Sequence, residues 1–304
     1  MRSIIYTAAA LAPVNRFARW LRRSQLLVLC YHGVCSGSSA NLPDYDGLHT
    51  PVALFGEHLD FLARHFDFVS LEDATRAWTA GASLPPRPVL LTFDDGYRNV
   101  VRNAWPVLKE KKIPSALFVV PKAIDSKDWL WPQKLSWRFP DRAQRAAQVK
   151  KLSGQTIAER ERVVNAETAG APISDDSDFS LAGWQELKTA SEHLASIGSH
   201  SDFHSDLSRC TPEDLRSELV DSRARIESML GGNCISIAFP FGGYSETVCN
   251  EAQKNGYEVA FTTEPRYARA SDSALTIPRI LVGREDTIRR FEGRISGWQD
   301  WLNA

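Results

Sequence analysis

Apolar, β-branched runs recur along the chain, and most are followed by a segment with helical spacing. The runs at 25–34 (QLLVLCYHGV), 88–95 (PVLLTFDD), 115–121, 194–200, 234–242, 258–263 and 274–282 read as buried strands. Between them, 51–66 places Val52, Phe55, Leu59 and Leu62 on one helical face. Residues 97–112 also read as helical, with Pro106 bending the helix or lying in its first turn. The stretch 181–193 predicts a helix capped by Ser180, and 211–232 one capped by Thr211 with Pro212 at its first position. Strands without polar alternation, interleaved with helices, imply a parallel sheet covered on both faces. A barrel and an open doubly wound sheet both satisfy this pattern. Residues 138–179 are charged and poor in strand signals, and predict a partly helical insertion.

Composition narrows the class. The 304 residues are 43% hydrophobic and 24% charged, enough apolar content for a large core. One catalytic domain over 26–304 is expected, preceded by a leader at 1–25. A net charge of −1 gives no basic excess for nucleic acid. Five cysteines without a C-x-x-C spacing suit small core residues and a reducing compartment. The leader has a short apolar stretch, then Arg16, Arg19, Arg22 and Arg23 interleaved with Phe17, Trp20 and Leu21. That pattern fits a packed leading helix, an amphipathic helix touching the inner membrane, or a cleaved signal. The expected location is cytoplasmic or peripheral to the inner membrane, ahead of periplasmic or secreted.

Four strands end on residues that are costly to bury without a purpose. The first ends on His32, the second on Asp94 and Asp95, the fourth on His200 with His204 four residues later, and the fifth on a Pro-Phe-Gly-Gly turn. In a parallel sheet these ends gather at one face, where ligands bind. A lone Asp-Asp-Gly is ordinarily a turn, and a lone His-x-x-x-His an ordinary helix surface. Together at separate strand ends, two imidazoles and a carboxylate make a catalytic metal set with one open position. Zinc suits it best, with Co, Ni, Mn or Fe tolerated. The second carboxylate is then available as a general base.

At TFDDG (92–96), HSDFH (200–204) and AFPFGGY (238–244), the chain resembles the NodB-homology polysaccharide deacetylases, carbohydrate esterase family four, in the branch with an AYPFG-like third block. The resemblance runs from about residue 26 to 285. It implies a deformed (β/α) barrel, one divalent metal, and hydrolysis of N-acetyl or O-acetyl groups on a surface or secreted glycan or its lipid-linked precursor. Carried over by position, Asp94 is the general base and Asp95, His200 and His204 are the metal ligands. A backbone N–H near Phe241 would stabilise the oxyanion, with Gly242 and Tyr244 in the same block. Two family features are absent: Ala238 or Phe239 stands where an arginine usually orients the base, and no histidine follows His204. His32 is the candidate replacement acid, or a structural histidine. Arg279 is the candidate charge beside Asp94, or a surface salt bridge. Trp129, Trp131 and Trp137 are candidates for a sugar-stacking wall or for anchoring the insertion. Two other readings use the same residues: an amidase or deformylase on a smaller sugar, and a degenerate glycan-binding barrel.

Overall fold

The computed structural model describes residues 12–36, 47–171, 180–193 and 195–297. Its centre is one curled parallel sheet. The strands are β1 (Leu27–Tyr31), β2 (Gly33–Cys35), β3 (His49–Pro51), β4 (Asp67–Phe68), β5 (Pro88–Phe93), β6 (Ser115–Val119), β7 (Ala195–Ser199), β8 (Ser236–Ala238), β9 (Val259–Phe261) and β10 (Ile280–Leu281). The order is β10-β1-β5-β6-β7-β8-β9, with β4 beside β5, while β2 and β3 pair separately. β10 hydrogen-bonds to β1, and Ile277 just before it bridges to Phe261 of β9. One segment thus touches both edges of the sheet, and the architecture is the deformed barrel the resemblance implies, not an open doubly wound sheet.

The central strands are buried throughout, as in a sheet shielded on both faces. Leu29, Phe93, Leu117 and Phe239 belong to one large apolar cluster; Val28, Leu90, Phe118 and Phe261 belong to a smaller one on the alternate residues.

Several elements differ from expectation. The run 25–34 breaks at His32 into two strands, because β2 turns away to pair with β3. The helix at 97–112 opens with a π-helical turn, Val100–Ala104, before the α-helix Trp105–Lys111, whose first turn holds Pro106. The preceding turn is itself helical, so Pro106 sits inside a continuous helix, and the π-helical turn, closed by the Trp105 N–H on the Val100 carbonyl, accommodates a residue that cannot donate. The helix Trp184–Ser191 is capped at Gly183, not Ser180, since Glu186 reaches back to the Gly183 N–H at 2.8 Å. The runs 234–242 and 274–282 keep only three and two strand residues. The insertion is helical where described: Trp131–Arg138, Arg142–Leu152 and Ile157–Glu167. Its first helix begins before 138; its end, 172–179, lies outside the described residues. The helix Leu71–Ala80, with a Ser70/Asp73 capping box, had no counterpart in the pattern reading.

Of the leader, residues 1–11 lie outside the described residues. The helix Ala12–Leu21 packs on the domain. Arg19 pairs with Glu292 at 2.9 Å, and Arg22, buried, donates to the Gly297 carbonyl at 2.9 Å. Among the described residues no helix is long and apolar enough to cross a membrane.

Candidate active site

β5 delivers the two carboxylates. The Asp94 N–H donates to the Tyr31 carbonyl at 2.9 Å, extending the β1–β5 ladder by one residue. Asp95 and Gly96 then take φ of +75° and +79°, and the strand turns off sharply. The two side chains therefore leave in different directions, both almost wholly buried.

Asp94 faces Arg279. Its Oδ1 and Oδ2 accept from the guanidinium Nη1 and Nη2 at 2.7 and 2.6 Å, and Cys30 Sγ donates to Oδ2 at 3.2 Å. Arg279 is fully buried; its Nε donates to the Thr262 carbonyl, and its guanidinium lies beside the packed rings of Phe118 and Phe261, 5.6 and 5.9 Å from their centroids. Burial, the largest single influence, would raise the Asp94 carboxyl, but the Arg279 charge and hydrogen bonds together with the nearby imidazoles His200 and His32 outweigh it and hold it at about 2. Asp94 is thus ionised at neutral pH. The arginine missing from the third motif has its counterpart here, on a different segment. Arg279 is thus the charge beside Asp94 and not a surface salt bridge; it grips the carboxylate and is not among the residues lining the catalytic cavity.

Asp95 faces the two histidines. Its Oδ1 lies 3.5 Å from His200 Nε2 and 3.3 Å from His204 Nε2, and it accepts no hydrogen bond. Ligands about 2.0–2.1 Å from a tetrahedral ion sit roughly 3.3 Å from one another. These separations match that edge, so the three residues fit a divalent metal. The Nδ1 of His200 meets the Ala238 carbonyl at 2.8 Å, so this nitrogen carries the proton and Nε2 keeps its lone pair outward. Burial pushes the His200 imidazole down to about 4, which keeps it neutral and able to ligate.

The loop between the histidines is strained and braced. Ser201 and His204 have φ of +63° and +54°. Glu218, fully buried in the helix Pro212–Leu230, accepts from the N–H groups of Asp202 and Phe203 at 2.7 and 2.8 Å. The insertion supplies the rest: Trp131 Nε1 donates to the His204 carbonyl at 2.9 Å, and Arg160 donates to Ser205 Oγ at 2.7 Å.

These groups open into a cavity of about 280 Å³, lined among others by His32, His49, Tyr97, Leu130 and Phe241. His32 is half-buried, with its Nδ1 unpartnered, and one of its ring nitrogens lies within 4.8 Å of an Asp94 carboxylate oxygen. No backbone carbonyl holds that nitrogen among the described residues. Phe241, at φ +59°, packs its ring against His204 and meets no acceptor with its backbone N–H among the described residues. The other residues of the motif stand differently. The Gly242 N–H is taken by the Phe239 carbonyl at 2.9 Å; its own role is steric, since a Cβ there would lie 2.1 Å from Thr263 Oγ1. Tyr244 is outside the cavity lining, with its hydroxyl bonded to Glu264. Trp131 is a buried prop beneath His204, not a wall of this cavity, and Trp137 is exposed.

His49, which lines the cavity, and the buried Asn99 behind it had gone unnoticed in the sequence. Asn99 accepts the Val34 N–H at its Oδ1, so its Nδ2 donates to His49 Nδ1 at 2.8 Å. His49 is therefore the Nε2–H tautomer, and burial pushes it down to about 3. Nothing in LHTP or YRNV announces this pair; only the β2–β3 pairing brings them together. Glu218 and Arg160 were equally hidden, because charged residues inside long polar helices read as solvent-facing.

A curled parallel sheet with a carboxylate–arginine pair beside an Asp-His-His set that fits a divalent metal has the make-up of a hydrolase centre. The polysaccharide deacetylase family model matches residues 81–260, more than half the chain. The chain belongs to that family, and it is a carbohydrate deacetylase by class. It is 24% identical over 260 residues to YxkH of Bacillus subtilis (strain 168), which carries the name of a polysaccharide deacetylase; the match covers 85% of this chain and 72% of that one. It is 23% identical to the poly-beta-1,6-N-acetyl-D-glucosamine N-deacetylase of Escherichia coli (strain K12), covering 75% of this chain but only 32% of that protein. Among solved structures, the Streptococcus pyogenes deacetylase PplD in complex with acetate matches at TM-score 0.65 and 19% identity, over 88% of this chain and 96% of that one. IcaB from Ammonifex degensii matches at 0.64 and 21%, over 90% and 98%. At these identities the structural matches speak for the fold.

Proposed function

We propose that this deacetylase uses one divalent metal, zinc by its ligand chemistry, to hydrolyse N-acetyl or O-acetyl groups on a surface or secreted polysaccharide or its lipid-linked precursor. The carrying observation is the side-by-side placement of two unlike carboxylates: Asp95 with two imidazoles at tetrahedral-edge distances, Asp94 ionised in an arginine fork. Asp95, His200 and His204 hold the metal, which when bound supplies Lewis-acid polarisation of the acetyl carbonyl and a more acidic water. Asp94 takes the proton of the attacking water, and Arg279 fixes the carboxylate's orientation for it. The Phe241 N–H is placed to meet the developing oxyanion. His32, beside Asp94 at the same cavity, gives the departing nitrogen its proton. The curated relative from E. coli is named for poly-beta-1,6-N-acetyl-D-glucosamine, which makes an N-acetylhexosamine polymer the first substrate to try.

Acetate release from a panel of acetylated glycans and lipid-linked sugars, with and without chelator, tests this reading. Release that chelator abolishes is expected. Asp94→Asn is expected to end turnover with metal content near wild type, and His204→Ala to lose both. His32→Ala should slow turnover at least tenfold with metal retained. Glycan binding without release by the metal-loaded protein would point instead to a non-catalytic barrel.

The N-terminal helix extends the proposal to a membrane surface. On its outer face Phe17, Trp20 and Leu21 are 59%, 53% and 42% exposed, and Arg16 and Arg23 are exposed beside them. The first 43 residues hold five arginines and no acid. Basic residues around exposed aromatics suit the headgroup region of an anionic bilayer. This supports a protein peripheral to the inner membrane. Co-sedimentation with anionic but not neutral vesicles is expected, reduced by Phe17→Ser/Trp20→Ser; equal binding to both would reject it.

A further inference from the structure

Cys30 is a fully buried thiol that the proposed reaction does not use. Its place follows from the sheet. Cys30 pairs in register with Thr92, and the Asp94 N–H continues that ladder on the Tyr31 carbonyl. Side chains alternate along a strand, so Cys30 and His32 share a face with Thr92 and Asp94 of the neighbouring strand. A second group of donors therefore converges beside the Asp95, His200 and His204 set. Cys30 Sγ, a ring nitrogen of His32 and a carboxylate oxygen of Asp94 all lie within 4.8 Å of one another.

This second group has its own chemistry. Sulfur and oxygen ligands about 2.3 and 2.1 Å from a tetrahedral ion sit roughly 3.5 Å apart. Cys30 Sγ and Asp94 Oδ2 are 3.2 Å apart, close to that edge. His32 and Asp94 both line the catalytic cavity, so an ion arriving there meets the imidazole and the carboxylate first. It then displaces the thiol proton, which leaves to solvent as the sulfur–metal bond forms. Thiolate, imidazole and carboxylate together suit zinc or cadmium, whereas magnesium, calcium and manganese favour oxygen donors. Arg279, gripping the same carboxylate, repels a cation here, so the group binds more weakly than the all-imidazole-and-carboxylate set beside it.

We propose that Cys30, His32 and Asp94 form a second, inhibitory site for a thiophilic divalent ion, either zinc in excess or cadmium. An ion held there ties up the base and the acid of the proposed reaction at once. Binding rests on these three side chains alone; its effect on turnover rests on the deacetylase reading above.

The test titrates cadmium into enzyme already loaded with one equivalent of zinc, following acetate release and the near-ultraviolet cadmium–thiolate band. Exchange of cadmium into the Asp95, His200 and His204 set gives no such band, because that set holds no sulfur. In the wild type the band should grow with the second equivalent of metal while turnover falls at least tenfold. The half-buried Cys210 and Cys249 are the other accessible thiols to control for, and the Cys210→Ser/Cys249→Ser variant should keep both responses. Cys30→Ser and Cys30→Ala should lose the band, with turnover falling less than twofold from each variant's own starting rate. His32→Gln, at a half-buried position, should weaken cadmium binding at least tenfold with Cys30 intact. Excess manganese should inhibit none of these proteins. No band in the wild type, or a band that survives loss of Cys30, would overturn the site. A band that depends on Cys30 and His32 while turnover stays unaffected keeps the ion site and instead denies Asp94 and His32 their roles in the reaction.

Discussion

Arg279 grips both carboxylate oxygens of Asp94 from 185 residues away in the chain. The pair is buried, so removing either partner strands a charge that costs about 3–5 kcal/mol. Arg279→Ala is therefore expected to lose stability of that order in urea unfolding. Arg279→Lys keeps the charge but not the fork, and should lower kcat at least tenfold with metal content unchanged. A lysine variant with wild-type kcat would deny Arg279 its orienting role.

Glu218 bears on metal affinity through the backbone it holds. Two charge-assisted hydrogen bonds run from the histidine loop to this one carboxylate, each worth roughly 1.5–3 kcal/mol. Glu218→Ala should free the loop and weaken metal retention at least tenfold in a chelator competition. Trp131→Phe loses only the bond to the His204 carbonyl, about 1 kcal/mol, and should weaken it roughly fivefold. Unchanged metal affinity in both would mean the loop is set by its own turns.

Gly33 is required by His49. A Cβ at this position would lie 2.1 Å from His49 Nδ1 and 2.4 Å from Cε1. Gly33→Ala should cost about 1–3 kcal/mol by overpacking and disturb the catalytic cavity, read as a lower unfolding midpoint and a raised KM. A neutral outcome would show that the β2–β3 pair yields easily.

His58 is fully buried, bonded to the Asp286 carbonyl at 2.6 Å, and burial pushes it down from 6.5 to about 4. The unfolded chain then binds a proton at a pH where the folded one does not. Stability should fall as pH drops from about 6.5 to 4, by up to about 3 kcal/mol. Unfolding midpoints for wild type and His58→Asn at pH 7 and 4.5 check this: the variant should lose less between the two. Parallel losses would assign the acid sensitivity elsewhere.

Much of the catalytic constellation was legible because its residues sit at strand ends within short motifs. Asp94, Asp95, His200 and His204 fall where apolar runs stop, and a parallel sheet brings such ends together whatever the details. Arg279 was visible only as a charge near the end of a weak strand; its choice between a surface bridge and Asp94 depended on where 277–281 crossed. The roles of Trp131 and Tyr244 went astray for a related reason. Aromatic residues near a motif look like substrate contacts in one dimension, but here one props the His204 carbonyl and the other bonds to Glu264.

The sequence by itself determined the parallel α/β architecture and singled out Asp94, Asp95, His200 and His204 as the candidate metal set and base, since these follow from hydrophobic periodicity and from polar residues too costly to bury idly. Only the tertiary structure decided how the two carboxylates differ. Asp95 turns at φ +75° toward the imidazoles while Asp94 stays in line with its strand and meets Arg279. It also decided the His49–Asn99 pair, the Glu218 anchor and the prop from the insertion. These depend on contacts between segments far apart in the chain, and no local pattern of spacing or propensity encodes such contacts.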